Sequence, residues 1–233
     1  YIVLAIGPAA NVNDLWEYNP MTTTWTQKAN FEGVSRAAAI GFSIGNKGYV
    51  GLGKVSNVSH PTDLWEYDPA LNDWFPKASF EGPGRGSAFC FTIGNSAYVG
   101  TGRKLTTYYQ DVWKYDSTLD DWIALSSFPG GTRESTVSFS IGAKGYVGTG
   151  NTSARAALND FWEYNGGTNT WIGVAPFEGG NRTAAAGFSI GNKGYVGTGI
   201  NDTTLYNDFW EYNPALNDWV QRASFPGTVR EYG

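Results

Sequence analysis

Two hundred and thirty-three residues, 41% of them apolar, 16% aromatic and only 16% charged, are enough for one all-β domain with a full core and exclude a disordered or highly charged helical chain. Sixteen Lys and Arg stand against 21 Asp and Glu, and a net charge of −5 offers no basic surface able to neutralise many phosphates, so nucleic acid is not an expected partner. One Cys rules out an internal disulfide and a thiolate metal cage, and one His rules out any His pair, so no metal or other cofactor is expected. No apolar run approaches the roughly 20 residues that cross a bilayer, so membrane insertion is not expected either.

The ten Trp fall into five pairs: Trp16 and Trp25, Trp65 and Trp74, Trp113 and Trp122, Trp162 and Trp171, Trp210 and Trp219. Each pair is nine residues apart, successive first members are 49, 48, 49 and 48 apart, and an Arg follows every second Trp by eleven residues. These are Arg36, Arg85, Arg133, Arg182 and Arg230. The chain is therefore five copies of one unit, with approximate bounds 1–36, 37–85, 86–133, 134–182 and 183–233 in a single domain.

In chain order, a full unit opens on a short apolar strand such as 37–44 (AAAIGFSI), followed by Gly-Asn, which supplies the positive φ of a two-residue hairpin turn. A second strand follows, 48–53 (GYVGLG), then a connection that differs in every copy. A third strand carries the first Trp, as in NDLWEY or NDFWEY, and a fourth is entered at the second Trp, as in WTQKA (25–29) and WVQRA (219–223). No window repeats apolar residues at helical spacing, and Gly and β-formers dominate. A four-stranded unit of about 48–49 residues is a propeller blade, so the expected fold is an all-β propeller of five blades.

Five copies of the second, third and fourth strands meet four of the first, so the first blade is expected to lack its inner strand. Tyr1 aligns with Tyr98 by its spacing to the next Trp, and a shift that starts the strand at Val3 fits as well. An open edge there invites self-association.

The Gly-Thr-Gly after the second strand (145–150 and 194–199, GYVGTG), then Tyr-Asn/Asp-Pro, then a Trp and an Arg, resembles the kelch repeat over nearly the whole chain, and looks similar to bacterial galactose-oxidase-like propellers. The resemblance implies six or seven blades, more than the five counted. It also brings copper oxidases and sugar epimerases into view as relatives. The copper site would need several His and a Tyr–Cys pair, which one His and an inner-strand Cys90 cannot supply.

Candidate binding residues lie on the variable connections 6–13, 54–62, 103–110, 151–159 and 200–207, since loops on a rigid repeat are where specificity is placed. Tyr108, Tyr109 and Tyr206 stand there outside the repeat template, as does Tyr232 near the end of the chain, and Arg103 and Arg155 add cationic donors. The remaining aromatics, including all ten Trp and the Phe series Phe31, Phe80, Phe128, Phe177 and Phe225, are expected between blades, each Trp at least half buried. Arg36, Arg85, Arg133, Arg182 and Arg230 have two readings. They ring the channel mouth and hold an anionic ligand, or each pairs with the Asp of its repeat (Asp14, Asp63, Asp111, Asp160, Asp208), the preferred account. His60 is expected to be a solvated loop residue, and Cys90 a buried, inert thiol. The sequons at Asn57, Asn151, Asn181 and Asn201 carry little weight.

The function expected is non-catalytic: a propeller presenting its variable connections to a carbohydrate or protein partner, outside the cell or on its surface. One alternative is an engineered or truncated repeat segment with an architectural role. A weaker one is a cofactor-free sugar epimerase or mutarotase using Glu134, Glu231 and the Arg series as acid–base groups.

Overall fold

The structure, a computed structural model, describes residues 2–4 and 13–231; Tyr1, residues 5–12, Tyr232 and Gly233 lie outside the described residues, and with them nearly all of the first variable connection and the off-template Tyr232. Two compact bodies divide the chain, residues 1–86 and 87–233, and the division falls within one residue of the repeat boundary at Arg85. Among the described residues there is no helix.

The first body holds a three-stranded sheet of β1 (Ile2–Leu4), β2 (Leu15–Asn19) and β3 (Thr24–Lys28), then a four-stranded sheet of β4 (Ile40–Ile44), β5 (Lys47–Gly51), β6 (Leu64–Asp68) and β7 (Asp73–Lys77). The second body holds three four-stranded sheets. They are β8 (Phe89–Ile93) and β9 (Ser96–Gly100), the two-residue pair β10 (Arg103–Lys104) and β11 (Thr107–Tyr108) on the following connection, and β12 (Val112–Asp116) with β13 (Asp121–Leu125); then β14 (Val137–Ile141), β15 (Lys144–Gly148), β16 (Phe161–Asn165) and β17 (Thr170–Val174); then β18 (Ala186–Ile190), β19 (Lys193–Gly197), the pair β20 (Ile200–Asn201) and β21 (Thr204–Leu205), β22 (Phe209–Asn213) and β23 (Asp218–Arg222). Every pairing between these strands is antiparallel, and each joins strands consecutive in the chain once the short pairs β10–β11 and β20–β21 are set aside, the arrangement from which a propeller-like β fold is built.

The turn chemistry follows the sequence. In the hairpins at Gly45, Gly94, Gly142 and Gly191 only the first central residue has positive φ, as a type II′ turn demands. The strand read at 37–44 begins later, at Ile40, because Ala38 sits at φ 52° and Ala37 instead pairs with Lys54 across the start of the connection.

Two corrections concern the first repeat. Val3 pairs with Trp16 as Val50 pairs with Trp65, so Ile2, rather than Tyr1 or Val3, occupies the place of Tyr49. The connection that follows is one residue shorter than the spacing to Trp113 implied. The expectation that every Trp is at least half buried fails at Trp25, which is 52% exposed, and Phe225 is 40% exposed in place of a core position. The cause is one repeating contact. Phe31 packs edge-on against Trp74 at 5.1 Å, Phe128 against Trp171 at 5.2 Å and Phe177 against Trp219 at 4.9 Å, each pair spanning two successive sheets. The sheet that would precede Trp25 in this series, and the one that would follow Phe225, are not among the described residues. The other nine Trp are buried or half-buried.

Polar bonds stitch the same interfaces. Asn72, Asn169 and Asn217 occupy the left-handed region, which Asn tolerates, and each side-chain oxygen accepts twice. One donor is the Tyr of its own sheet (Tyr67 at 2.8 Å, Tyr164 at 3.0 Å, Tyr212 at 2.9 Å), and the other is a backbone N–H of the preceding sheet (Ala29 at 2.9 Å, Ser126 at 3.2 Å, Ala175 at 2.8 Å). Burial pushes the hydroxyls of Tyr164 and Tyr212 up to about 12, so both remain donors throughout the neutral range.

Close approach of sheets also requires glycine. A Cβ on Gly194 would overlap the ring of Phe139, and one on Gly145 the ring of Phe91. Gly194→Ala is therefore expected to lower the unfolding free energy by about 1–3 kcal/mol, the usual penalty for overpacking, measured by urea denaturation.

Candidate functional site

The Arg series is the frame on which the variable connections hang. Arg36, Arg85, Arg133 and Arg182 are at most 1% exposed. Arg133 donates through Nη1 to Asp160 Oδ1 at 2.6 Å and to the Thr149 carbonyl at 3.0 Å, and through Nη2 to Asp160 Oδ2 at 2.9 Å and to the Gly130 carbonyl. Arg36 grips Asp63 (2.5 and 2.7 Å) and the Leu52 carbonyl, and Arg182 grips Asp208 (2.6 and 2.9 Å) and the Thr198 carbonyl, in the same way. Each of these Asp also accepts the indole N–H two residues on, from Trp65, Trp162 or Trp210, at 2.8 Å. The planar fork of guanidinium matches carboxylate, which explains why Lys never takes this position.

The clamp also holds strained backbone. Leu52, Thr149 and Thr198, whose carbonyls the Arg side chains bind, have φ of 55°, 59° and 61°, a region that costs a non-glycine residue of order 1–3 kcal/mol. Each Arg carbonyl in turn accepts from the second Gly of the preceding Gly-X-Gly: Gly53 to Arg85, Gly102 to Arg133, Gly150 to Arg182 and Gly199 to Arg230, all at 2.8–2.9 Å.

The buried guanidinium groups of Arg36, Arg85, Arg133 and Arg182 are thus enclosed, and the reading of them as an anion-holding ring is corrected. Arg230 is exposed and donates to the Thr228 carbonyl.

In the second body the off-template aromatics do meet the Arg frame. Arg133 N–H donates to the Tyr109 carbonyl at 3.3 Å, and the Arg182 guanidinium lies 4.1 Å from the centre of the Tyr206 ring. Tyr109 and Tyr206 occupy equivalent places, each donating its N–H back to the Gly that ends Gly-X-Gly (Gly102 at 2.9 Å, Gly199 at 3.0 Å). They belong to the frame.

Tyr108 does not. It lines a cavity of about 490 Å³ together with Arg103, Glu134, Ser135, Asn151, Arg155, Ala157, Thr183, Ile200, Asp202 and Glu231. Six of these fill two positions in three successive repeats. Arg103, Asn151 and Ile200 each follow a Gly-X-Gly, and Glu134, Thr183 and Glu231 each follow a frame Arg. Backbone pairs join the two series, Glu134 with Asn151 at 3.1 Å each way and Thr183 with Ile200 at 2.9 and 3.0 Å.

Glu134, only 7% exposed, accepts from Arg103 Nε at 2.8 Å and from the Tyr108 hydroxyl at 3.4 Å. Arg103 also lies 5.9 Å from the Tyr108 ring centre, and Thr183 Oγ1 donates to Asn151 Oδ1 at 2.9 Å. Arg155 and Asp202 stand exposed at the rim. Two cations and three carboxylates face one concave space, so the cavity is polar without being strongly charged.

The structure thus gathers Tyr108, Arg103 and Arg155 from the expected binding residues and Glu134 and Glu231 from the expected acid–base residues. The sequence reading passed over Asn151 as a sequon, and it passed over Thr183 and Asp202. Their signal was present: the residue after each frame Arg reads Ala37, Gly86, Glu134, Thr183, Glu231, a polar departure confined to the later repeats. Cys90 is half-buried outside this cavity, and burial pushes its thiol up, so it stays protonated. Among the described residues no three His, Cys, Asp or Glu are grouped to hold a metal ion.

No protein-family model and no curated protein matches the sequence. Solved structures do match, 346 chains in number. One of them, titled "Structure of YjhT", superposes with a TM-score of 0.84 at 16% sequence identity, covering 98% of this chain and 82% of that one. The likeness is one of fold. At this identity no residue role passes between the two chains.

Two outcomes test the clamp. Arg133→Met leaves Asp160 without its partner and is expected to cost about 3–5 kcal/mol in denaturant unfolding. For Asp63, burial alone would raise the carboxyl, but hydrogen bonds from Arg36 and Trp65 outweigh it and hold the group below its ordinary value. A lowered folded pKa means the stabilisation is full above the unfolded value near 3.8 and is lost as pH falls through the folded value. The melting-temperature difference between wild type and Asp63→Asn should therefore hold steady from pH 7 to about 5 and shrink below about 4.

Proposed function

We propose that this chain is a kelch-type β-propeller that binds a carbohydrate in the Tyr108–Glu134–Arg155 cavity and carries out no chemistry on it. One observation carries the reading: the cavity is lined by the two positions at which the repeats abandon their template, and five of the six residues there, all but Ile200, have hydrogen-bonding side chains. A repeat needs Arg, Asp, Trp and Gly for its own sheet, and it needs nothing specific after the Arg or after Gly-X-Gly. Polar residues gathered at those points on successive repeats serve something other than the fold.

The chemistry of the lining favours a sugar. Glu134, Asn151, Asp202 and Glu231 offer acceptors, Arg103 and Arg155 offer donors, and hydroxyl groups of a saccharide satisfy both kinds at once. The Tyr108 ring offers an apolar face for a sugar ring beside these groups. A volume of about 490 Å³ suits a small saccharide. A protein partner would favour a flatter, more apolar surface with aromatic anchors.

Glycan-array screening followed by calorimetry tests the reading. Tyr108→Ala and Arg155→Ala are expected to weaken the best glycan about tenfold each, a loss of about 1.4 kcal/mol, with melting temperature unchanged because both side chains stand outside the clamp. Absence of glycan binding by wild type, or turnover of a bound sugar that Glu134→Gln abolishes, would replace the binding-module reading.

A further inference from the structure

Inside the second body, two residues that follow a Gly-X-Gly each meet the residue that follows the next frame Arg. Arg103 meets Glu134, with Nε 2.8 Å from Oε2, and Asn151 meets Thr183, whose Oγ1 donates to Asn151 Oδ1 at 2.9 Å. The frame sets this register, since Gly102 N–H bonds to the Arg133 carbonyl and Gly150 N–H to the Arg182 carbonyl. The two pairs are therefore equivalent, and neither carries net charge. One is a cation cancelled by an anion, and the other is two neutral groups.

Within the charged pair the two side chains differ in access: that of Glu134 is 9% exposed and that of Arg103 48%. Glu134 is anchored by its backbone bonds to Asn151, and its carboxylate also takes the Tyr108 hydroxyl. Arg103 stands opposite Tyr108 in the β10–β11 register, with its guanidinium beside the ring. Nε is thus occupied and the side chain braced, whereas Nη1 and Nη2 have no hydrogen-bond partner among the described residues. A planar group with two parallel donors lines the cavity, and its charge is already answered from behind. The other charged lining residues are Arg155, Asp202 and Glu231, so anions outnumber cations there by three to two. The frame cations Arg133 and Arg182 are cancelled by Asp160 and Asp208.

We infer that Glu134 is a positioning residue that sets the specificity of the cavity: it holds Arg103 ready for two neighbouring hydroxyls of a neutral saccharide, and it cancels the charge that would otherwise draw a carboxylated one. The inference rests on the carbohydrate reading above and narrows it. Two adjacent hydroxyls accept from both Nη groups and bring no charge of their own to desolvate. A uronate would set its carboxylate across one guanidinium from that of Glu134, in a cavity where anions are already in excess, and like charges so placed select against it. Because Arg103 is braced before the ligand arrives, little side-chain freedom is lost on binding.

The test is calorimetry of the whole chain with matched probes that differ only at C6: the methyl glycosides of glucose, galactose and mannose against those of the corresponding uronates. Wild type is expected to bind the neutral member of its best pair about tenfold more tightly than the uronate, with little change up to about 0.3 M NaCl. Glu134→Gln keeps an acceptor for Nε and removes the charge. It should bring the uronate to at least equal affinity with the neutral glycoside, and that gain should fall as salt rises, with the circular dichroism of wild type retained. Arg103→Ala truncates a half-exposed side chain outside the clamp and should weaken the neutral glycoside about tenfold; added to Glu134→Gln, it should abolish the gain for the uronate. A wild type that prefers the uronate, a Glu134→Gln variant with the wild-type preference, or an Arg103→Ala variant with wild-type affinity overturns this inference and leaves the carbohydrate reading standing. Absence of binding by all of these glycosides also overturns it, and the glycan array then decides the carbohydrate reading separately.

Discussion

The fold depends on a buried ion pair repeated down the chain. Burying a guanidinium group is costly unless its donors are answered, and at Arg133 a carboxylate takes two, a backbone carbonyl at positive φ takes one and a loop carbonyl takes another, which leaves only Nε–H without a partner among the described residues. The Asp is oriented by the indole N–H two residues on, so Arg, Asp and Trp form one unit in which the Arg that closes one repeat holds the Asp and Trp of the next, and not the Asp of its own repeat. This explains why the three residue types recur with fixed spacing while Glu at the position after the first Trp gives way to Lys114 in the third copy. Lys114 finds Asp116 at 3.1 Å and nothing else in the repeat depends on it.

The same Arg ties one sheet to the next through its backbone. At Arg133 and Arg182 the carbonyl accepts from the Gly of the preceding sheet while the side chain organises the following one, so each of these two is a joint between sheets. Around that joint, Phe against Trp supplies apolar contact, and the left-handed Asn links Tyr of one sheet to backbone of the other. In the second body these terms recur at both interfaces, from Phe89 to Trp171 and from Phe139 to Trp219, which is the pattern expected of stability built from nearest-neighbour contributions.

Much of this was legible in the sequence. The Trp and Arg periods gave repeat length and strand order, Gly-Asn gave the hairpins, and the invariant Asp pointed to pairing with the Arg. What the period could not give was the alignment of the first strand, where YIVLAIG lacks the template glycines and Ile2 stands in for Tyr. Nor could it reveal that Trp25 and Phe225 are exposed, because their burial depends on a neighbouring sheet and not on their own repeat. The candidate site was half visible. Tyr108, Arg103 and Arg155 stood out as breaks in the template, but their convergence with Glu134, Asn151 and Glu231 arises from backbone pairing across successive repeats, which a linear reading does not show.

Arg133 and Glu134 are adjacent in the chain and opposite in consequence. The backbone between them turns so that the first side chain is locked inside a sheet and the second opens onto the cavity, and the same turn recurs at Arg182 and Thr183. Structural and recognition roles are thereby separated by a single peptide bond. A chain wired in this way holds a short address, two variable letters per repeat, that drift or an engineer can rewrite while the grammar of the frame stays intact.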